Sequence, residues 1–212
     1  MKNNYDRYRH QSDKGIRRKI RWLILLPKFW FSPISRSVVD LVSLRPGDKA
    51  LDLGSGMGPA AVLMAKRGAL VFAVDPSRFM RVILSFRRQI QRNSSKIVVK
   101  AGAAEELPLL DNSIEVVVAV NTVHHWTNLE KSVSELVRVL NSRGRATLVD
   151  EDFTHPDHPK HETHHDHENE MTTVDVSGIA DMFRKAGLQA TGEKSILCGV
   201  PVKMIQASFS VD

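Results

Sequence analysis

Three glycines at alternate positions, Gly54, Gly56 and Gly58, follow the short run Ala50-Leu51-Asp52-Leu53. Glycine is needed where a backbone takes a positive φ or comes into contact with a ligand. A strand that enters such a turn and leaves as a helix aims unpaired N–H groups, and the positive end of the helix dipole, at whatever lies over it. Pro59 suits the first helical turn. It also stands where a dinucleotide fingerprint, Gly-x-Gly-x-x-Gly, requires glycine, which weakens a pyrophosphate reading. Asp75 ends the next apolar run, Val71-Phe72-Ala73-Val74, 21 residues after Gly54. A carboxylate there either accepts hydrogen bonds from ribose hydroxyls or caps the following helix.

Two histidines, His124 and His125, follow the apolar run Ile114–Val120 and precede Trp126. An imidazole at that place accepts a proton near neutral pH. The plainer reading is that one caps the next helix and the other packs on Trp126. Glu151 and Asp152 either face a substrate or are solvated loop charges. Further on, His155, His158, His161 and His164 recur at intervals of three, joined by His165 and His167. Imidazoles among carboxylates are ligands for a divalent metal such as Zn, Ni or Cu. Two prolines and the high polarity argue instead for a solvated loop.

The elements that must carry these residues alternate. Strands are expected at Lys49–Leu53, Ala69–Val74, Lys96–Val99, Ile114–Val120 and Gly144–Val149. Helices are expected at Pro59–Arg67, Ser77–Arg92, Leu129–Leu140 and Val174–Ala186. Two last strands, near Gln189–Cys198 and Val202–Ser210, pair around Gly199-Val200-Pro201. The continuous β-branched run Ile114–Val120 marks a strand buried on both faces. This order implies an α/β fold with a doubly wound, mostly parallel seven-stranded sheet and an antiparallel C-terminal strand pair. Ligands in such sheets bind at the carboxyl ends of the central strands. Ahead of the sheet, residues 1–46 read as a basic helical arm, with one helix ending near Leu26 and another over Pro33–Leu44. Residues 47–212 read as the α/β domain that carries the candidate site.

The chain has 212 residues, with 42% hydrophobic and 25% charged residues, the proportions of one globular domain. Its single cysteine, Cys198, forms no internal disulfide, in keeping with a reducing compartment. No apolar run approaches a membrane span, and no apolar stretch backs the charges of the first ten residues, so a cytoplasmic protein is expected. The net charge of +6 is uneven: residues 1–50 hold twelve Lys/Arg against four Asp/Glu. Arg17, Arg18, Lys19 and Arg21 beside Trp22, Phe29, Trp30 and Phe31 suit a peripheral membrane contact. Nucleic acid is a weaker fit, and a helix that covers the glycine-turn crevice is the bland reading.

Taken together, these motifs resemble the class I S-adenosylmethionine-dependent methyltransferases, with their Rossmann-like fold, from about Ala50 to Val149. Within that superfamily the chain is most similar to the ubiquinone/menaquinone-biosynthesis group. Gly102-Ala103-Ala104-Glu105-Glu106-Leu107-Pro108, Asn121-Thr122-Val123-His124-His125-Trp126 and Glu135–Leu140 with Gly144 carry the likeness beyond the glycine turn. The resemblance implies S-adenosylmethionine over Gly54, Gly56 and Gly58, with Asp52 orienting the turn and Asp75 holding the ribose. It implies Pro76 on the adenine, Ala104 and Glu105 at the adenine edge, and Asn121 near the amino-acid end. Ala103 departs from the family's frequent Asp, at a cost of about 1 kcal/mol in cofactor binding. The Asn/Asp-Pro-Pro-Tyr signature of amino-group methylation on bases or glutamine is absent. The implied activity is methyl transfer to a small or lipophilic acceptor. The rivals are a non-catalytic cofactor-binding regulatory module and a metal-binding protein built on the histidine-rich loop.

Overall fold

The structure, a computed structural model, describes residues 20, 30–91, 95–159 and 174–210. Seven strands form one sheet: β1 Lys49–Leu53, β2 Leu70–Asp75, β3 Ile97–Ala101, β4 Ile114–Val120, β5 Leu140–Glu151, β6 Gln189–Leu197 and β7 Val200–Ser208. Their order is β3-β2-β1-β4-β5-β7-β6. β1 to β5 run parallel, while β7 lies antiparallel to both β5 and β6. The doubly wound expectation holds, and the strand order reverses between β1 and β4, where such sheets open a ligand crevice.

Among the described residues five helices flank the sheet: α1 Pro33–Leu41, α2 Pro59–Lys66, α3 Arg78–Ile90, α4 Leu129–Val139 and α5 Val176–Lys185. Their starts follow local capping rules. Ser32, Ser77, Asn128 and Asp175 each accept a backbone N–H of the first turn they precede. Alternation along the central strands splits the core into two layers. Leu51, Leu53, Val117, Ala119 and Leu148 pack against Val133, Leu136 and Val139 of α4 and Ile179 and Phe183 of α5. Ala50, Val71, Ala73, Val116, Val118 and Val149 pack on the other face against α1 and α2. Val38 and Val39 of α1 are fully buried there, so α1 shares the core of the sheet.

Two boundaries differ from the sequence expectation. β5 begins at Leu140, directly where α4 ends, pairs with Ile114, and resumes regular register only at Arg145 after an irregularity. The turn between β6 and β7 is Cys198-Gly199, with φ of 47° and 79°. Two consecutive positive φ angles are the type I′ geometry that matches strand twist. Pro201 therefore sits inside β7 opposite Ile196, near the strand start where its missing N–H costs least. The expected helix ending near Leu26 lies outside the described residues, as do His161, His164, His165 and His167.

Candidate active site

The glycine turn leaves β1 at its carboxyl end. Gly54, Gly56 and Gly58 all have positive φ, at 67°, 50° and 76°. A Cβ on Gly54 would stand 2.1 Å from Thr122 Oγ1, and one on Gly58 would meet the Leu84 side chain at 2.1 Å. The turn is thus closed in by neighbours as well as by its own torsions. Gly56 differs, because a Cβ there would meet nothing nearer than the Gly54 carbonyl at 4.0 Å, so this stretch faces open space.

Buried charges hold the turn in place. Asp52 Oδ2 accepts the Ala61 N–H at 2.8 Å and so ties the first turn of α2 to β1. Burial lifts the Asp52 carboxyl to about 7, with the Ala61 N–H and the Arg87 charge opposing it and the Asp75 charge adding to it. Asp75 ends β2 and turns toward the glycines. Its Oδ2 accepts the Gly56 N–H at 2.7 Å and its Oδ1 accepts the Ser77 N–H at 2.8 Å. Ser77, not Asp75, is the N-cap of α3. Arg87 reaches back from α3 and donates to the carbonyls of Met57 at 3.0 Å and Trp30 at 2.6 Å. Its guanidinium lies 4.3 Å from the Trp30 ring centroid. Burial pulls the Arg87 guanidinium down to about 10, with Asp52 holding it up.

The residues expected at the adenine form the rim after β2 and β3. Pro76 is half-buried there, and its carbonyl accepts from Arg81 Nη1 at 2.7 Å. Ala103 and Glu106 form an isolated antiparallel bridge that brackets buried Ala104 and Glu105. The Glu105 carboxylate points into the protein. One oxygen, Oε1, accepts the N–H and hydroxyl of Thr127 at 2.6 and 2.8 Å and the Asn128 N–H at 3.2 Å. Glu105 therefore fastens the approach to α4, in addition to any contact with a ligand.

After β4, Asn121 takes φ 53° and pairs reciprocally with Glu151. Its Nδ2 donates to Glu151 Oε1 at 2.6 Å, and its Oδ1 accepts the Glu151 N–H at 2.8 Å. His124 and His125 occupy a single 3-10 turn, Val123–His125. Neither caps α4, since Asn128 does that. Nδ1 of His124 lies 2.6 Å from Oδ2 of Asp150, a residue that sequence reasoning did not single out. The same carboxylate accepts the N–H groups of Thr122 at 3.0 Å and His124 at 2.9 Å. Burial pushes the Asp150 carboxyl up, and the hydrogen bond and charge of His124 with these N–H groups outweigh that push, leaving it below the ordinary carboxylate value. His124 Nε2 has no hydrogen-bond partner among the described residues. The His125 ring is exposed, 4.0 Å from the His124 ring between centroids. A signal for Asp150 was present: an acid ends each of the apolar runs at Asp52, Asp75 and Asp150, or sits one residue from the end.

Of the histidine-rich segment, only His155 and His158 are described. His158 is buried, with Nε2 3.1 Å from Glu151 Oε2 and its ring edge-on to Phe153, while His155 is at the surface beside Asp157. Among the described residues no group of three or more His, Cys, Asp or Glu side chains is placed to hold a metal. Glu151 and Asp152 part company. Glu151 joins Asn121, whereas Asp152 is buried and held by Lys194 and Lys203 at 3.3 and 3.4 Å.

The cradle fits S-adenosylmethionine in two respects. Gly56 presents bare main chain to open space, and the buried Ser55 hydroxyl within the turn has no hydrogen-bond partner among the described residues. Such an orphan is costly unless a ligand or water satisfies it.

Comparison with known proteins agrees. Residues 51–148 match the family described as a methyltransferase domain. The chain is 37% identical over 101 residues to an uncharacterized methyltransferase of Mycobacterium tuberculosis, covering 48% of this chain and 39% of that one. It is 30% identical over 121 residues to a demethylmenaquinone methyltransferase of Streptomyces avermitilis, covering 57% and 49%. The chain thus spans less than half the length of these relatives. A SAM-dependent methyltransferase from Aquifex aeolicus shares the fold, with a TM-score of 0.68 at 19% identity over 92% of this chain and all of that one. The YcgJ protein of Bacillus subtilis does so as well, with a TM-score of 0.68 at 17% identity over 84% and 99%. Residues 51–148 therefore match a methyltransferase domain, and the fold that carries them is shared with a SAM-dependent methyltransferase of known structure.

Proposed function

We propose that this protein transfers a methyl group from S-adenosylmethionine to a small or lipophilic acceptor whose nucleophile must give up a proton. When bound, that cofactor supplies an electrophilic methyl group. The residues of the chain position and deprotonate. Gly54, Gly56 and Gly58 offer main chain to the cofactor's amino-acid end, and Asp75, already turned to the Gly56 N–H, presents its carboxylate to the ribose. Asn121, pinned by Glu151, sits at the mouth of the crevice.

The observation that carries the reading is the His124–Asp150 pair. A carboxylate on Nδ1 holds the imidazole in the tautomer whose Nε2 lone pair is free to accept a proton. The proton on the acceptor therefore passes to His124 Nε2, and Asp150 stabilises the imidazolium that results. A hydroxyl, or a carbon made acidic by a neighbouring group, needs that service. Relatives named for demethylmenaquinone methylation and for ubiquinone/menaquinone C-methylation support a lipophilic acceptor of this kind.

The test has two stages. Calorimetric titration with S-adenosylmethionine should show one site, weakened at least about tenfold in Asp75→Ala, because charge-assisted hydrogen bonds to the ribose are lost. Methyl-labelled cofactor is then offered with a panel of phenols, hydroquinones, amines and thiols. Label entering hydroxyl or ring-carbon positions supports the reading. Binding without turnover on any class leaves a non-catalytic module, and no binding removes the proposal.

A further inference from the structure

The outer face of α3 carries a second surface, which starts beside the Asp75–Pro76 rim at Arg78 and Arg81 and runs along the helix to Ile90. Met80, Ile83, Leu84 and Arg87 of this helix are buried, yet Val82, Phe86 and Ile90, four residues apart, remain 60%, 64% and 57% exposed. Residues at that spacing form one ridge along a helix. Beside the ridge, a shallow groove of about 310 Å³ between α3 and the edge strand β3 is lined by Arg78, Arg81, Val82, Ser85, Arg88 and Val99. Arg81 is set in place by the carbonyls of Asp75 and Pro76, and Arg88 by that of Ile97. The surrounding sequence is one-sided. From Pro76 to Ala104 there are seven Lys/Arg and no Asp or Glu, although residues 51–212 as a whole carry two more acids than bases.

We infer that this face of α3, with the β3 edge, docks on an anionic phospholipid bilayer. An apolar ridge flanked by fixed cations is what an interface of acyl chains beneath phosphates requires. Phe86, Ile90 and Val82 enter the boundary region, and Arg78, Arg81 and Arg88 meet the headgroup phosphates. A second copy of the chain is a poor occupant, because a two-fold contact through the same face would oppose like charges. Single-stranded nucleic acid would use the cations, but it stacks on aromatic rings and leaves Val82 and Ile90 without a role. The inference does not depend on the methyl-transfer reading, and it concerns a surface other than the basic N-terminal arm.

The full chain is sedimented with phosphatidylcholine vesicles and with mixed phosphatidylcholine–phosphatidylserine vesicles. Binding is expected only to the mixed vesicles, and should fall as salt is raised. The variant Phe86→Ser/Ile90→Ser should weaken it by about tenfold per side chain. Arg78→Glu should weaken it by at least about fivefold. Phe86 and Ile90 are exposed and lie far along α3 from Asp75, so circular dichroism and S-adenosylmethionine titration of Phe86→Ser/Ile90→Ser should match the parent chain. The inference is overturned if the parent chain ignores the mixed vesicles, or if Phe86→Ser/Ile90→Ser binds them as the parent does. It is also overturned if a single-stranded RNA oligonucleotide binds with the same dependence on Phe86 and Ile90.

Discussion

Asp150 approaches Nδ1 of His124 to 2.6 Å from a strand end that is 26 residues away in sequence. The pairing is possible because β4 and β5 lie side by side in register, Val120 opposite Val149, which brings the 3-10 turn beyond β4 next to the carboxyl end of β5. A buried carboxylate with one imidazole and three N–H donors is both an anchor for the 3-10 turn and the orienter of a base.

If His124 is the base, His124→Gln should lower kcat by about 100-fold or more while leaving S-adenosylmethionine affinity near that of the parent. Asp150→Asn should lower kcat as well and shift the pH profile, since it no longer fixes the tautomer. The same variant has a stability signature. The Asp150 carboxyl sits below its ordinary value, so its contribution is present above the unfolded pKa and is lost as pH falls through the folded one. Asp150→Asn should accordingly flatten acid unfolding. Parent-like turnover in both variants would remove the base assignment.

Gly54 is constrained twice, by φ 67° and by Thr122 above it. Gly54→Ala should therefore destabilise by about 2 kcal/mol or more. Added to Thr122→Gly, the same change should cost only the torsional part, about 1–2 kcal/mol. Equal costs in the two backgrounds, measured by urea unfolding, would show that the close approach to Thr122 contributes nothing.

Glu105 gathers three donors on one oxygen. Glu105→Ala should cost about 2 kcal/mol through stranded N–H groups, and it should loosen amide protection at Thr127 and Asn128. Glu105→Gln keeps an acceptor in the same place and should restore much of both. If Glu105→Ala unfolds like the parent and only cofactor affinity changes, the side chain serves the ligand and not the loop.

The sheet was legible because its signals are local. Apolar alternation and glycine turns fixed β1, β2 and β4 within a residue or so, and Ile114–Val120 without error. The hairpin turn was misplaced by two residues because Pro201 reads as a turn former, while Cys198, a non-glycine residue at φ 47°, gives no sequence signal. The glycine turn and Asp75 could be found from spacing. The pairings of His124 and Glu105 could not, since each partner lies more than twenty residues away, Asp150 being brought to His124 by the register of β4 and β5. Strand register depends on how two layers of side chains pack, which no single stretch of sequence records.

Asp52 gives the sharpest pH test. Its carboxyl is lifted by burial to about 7 from an ordinary 3.8, so the folded protein holds a proton that the unfolded chain releases. Between those two values the native state binds more protons, and stability must fall as pH rises. A shift of this size corresponds to a loss on the order of 4 kcal/mol, complete only above pH 7. Asp52→Asn keeps an acceptor for the Ala61 N–H and carries no charge at any pH, so the variant lacks this loss. The difference in unfolding free energy, variant minus parent, should therefore grow in favour of the variant from about pH 4 to pH 8. A difference that stays constant over that range would mean that Asp52 is ionised in the folded protein, with Arg87 and the Ala61 N–H outweighing its burial.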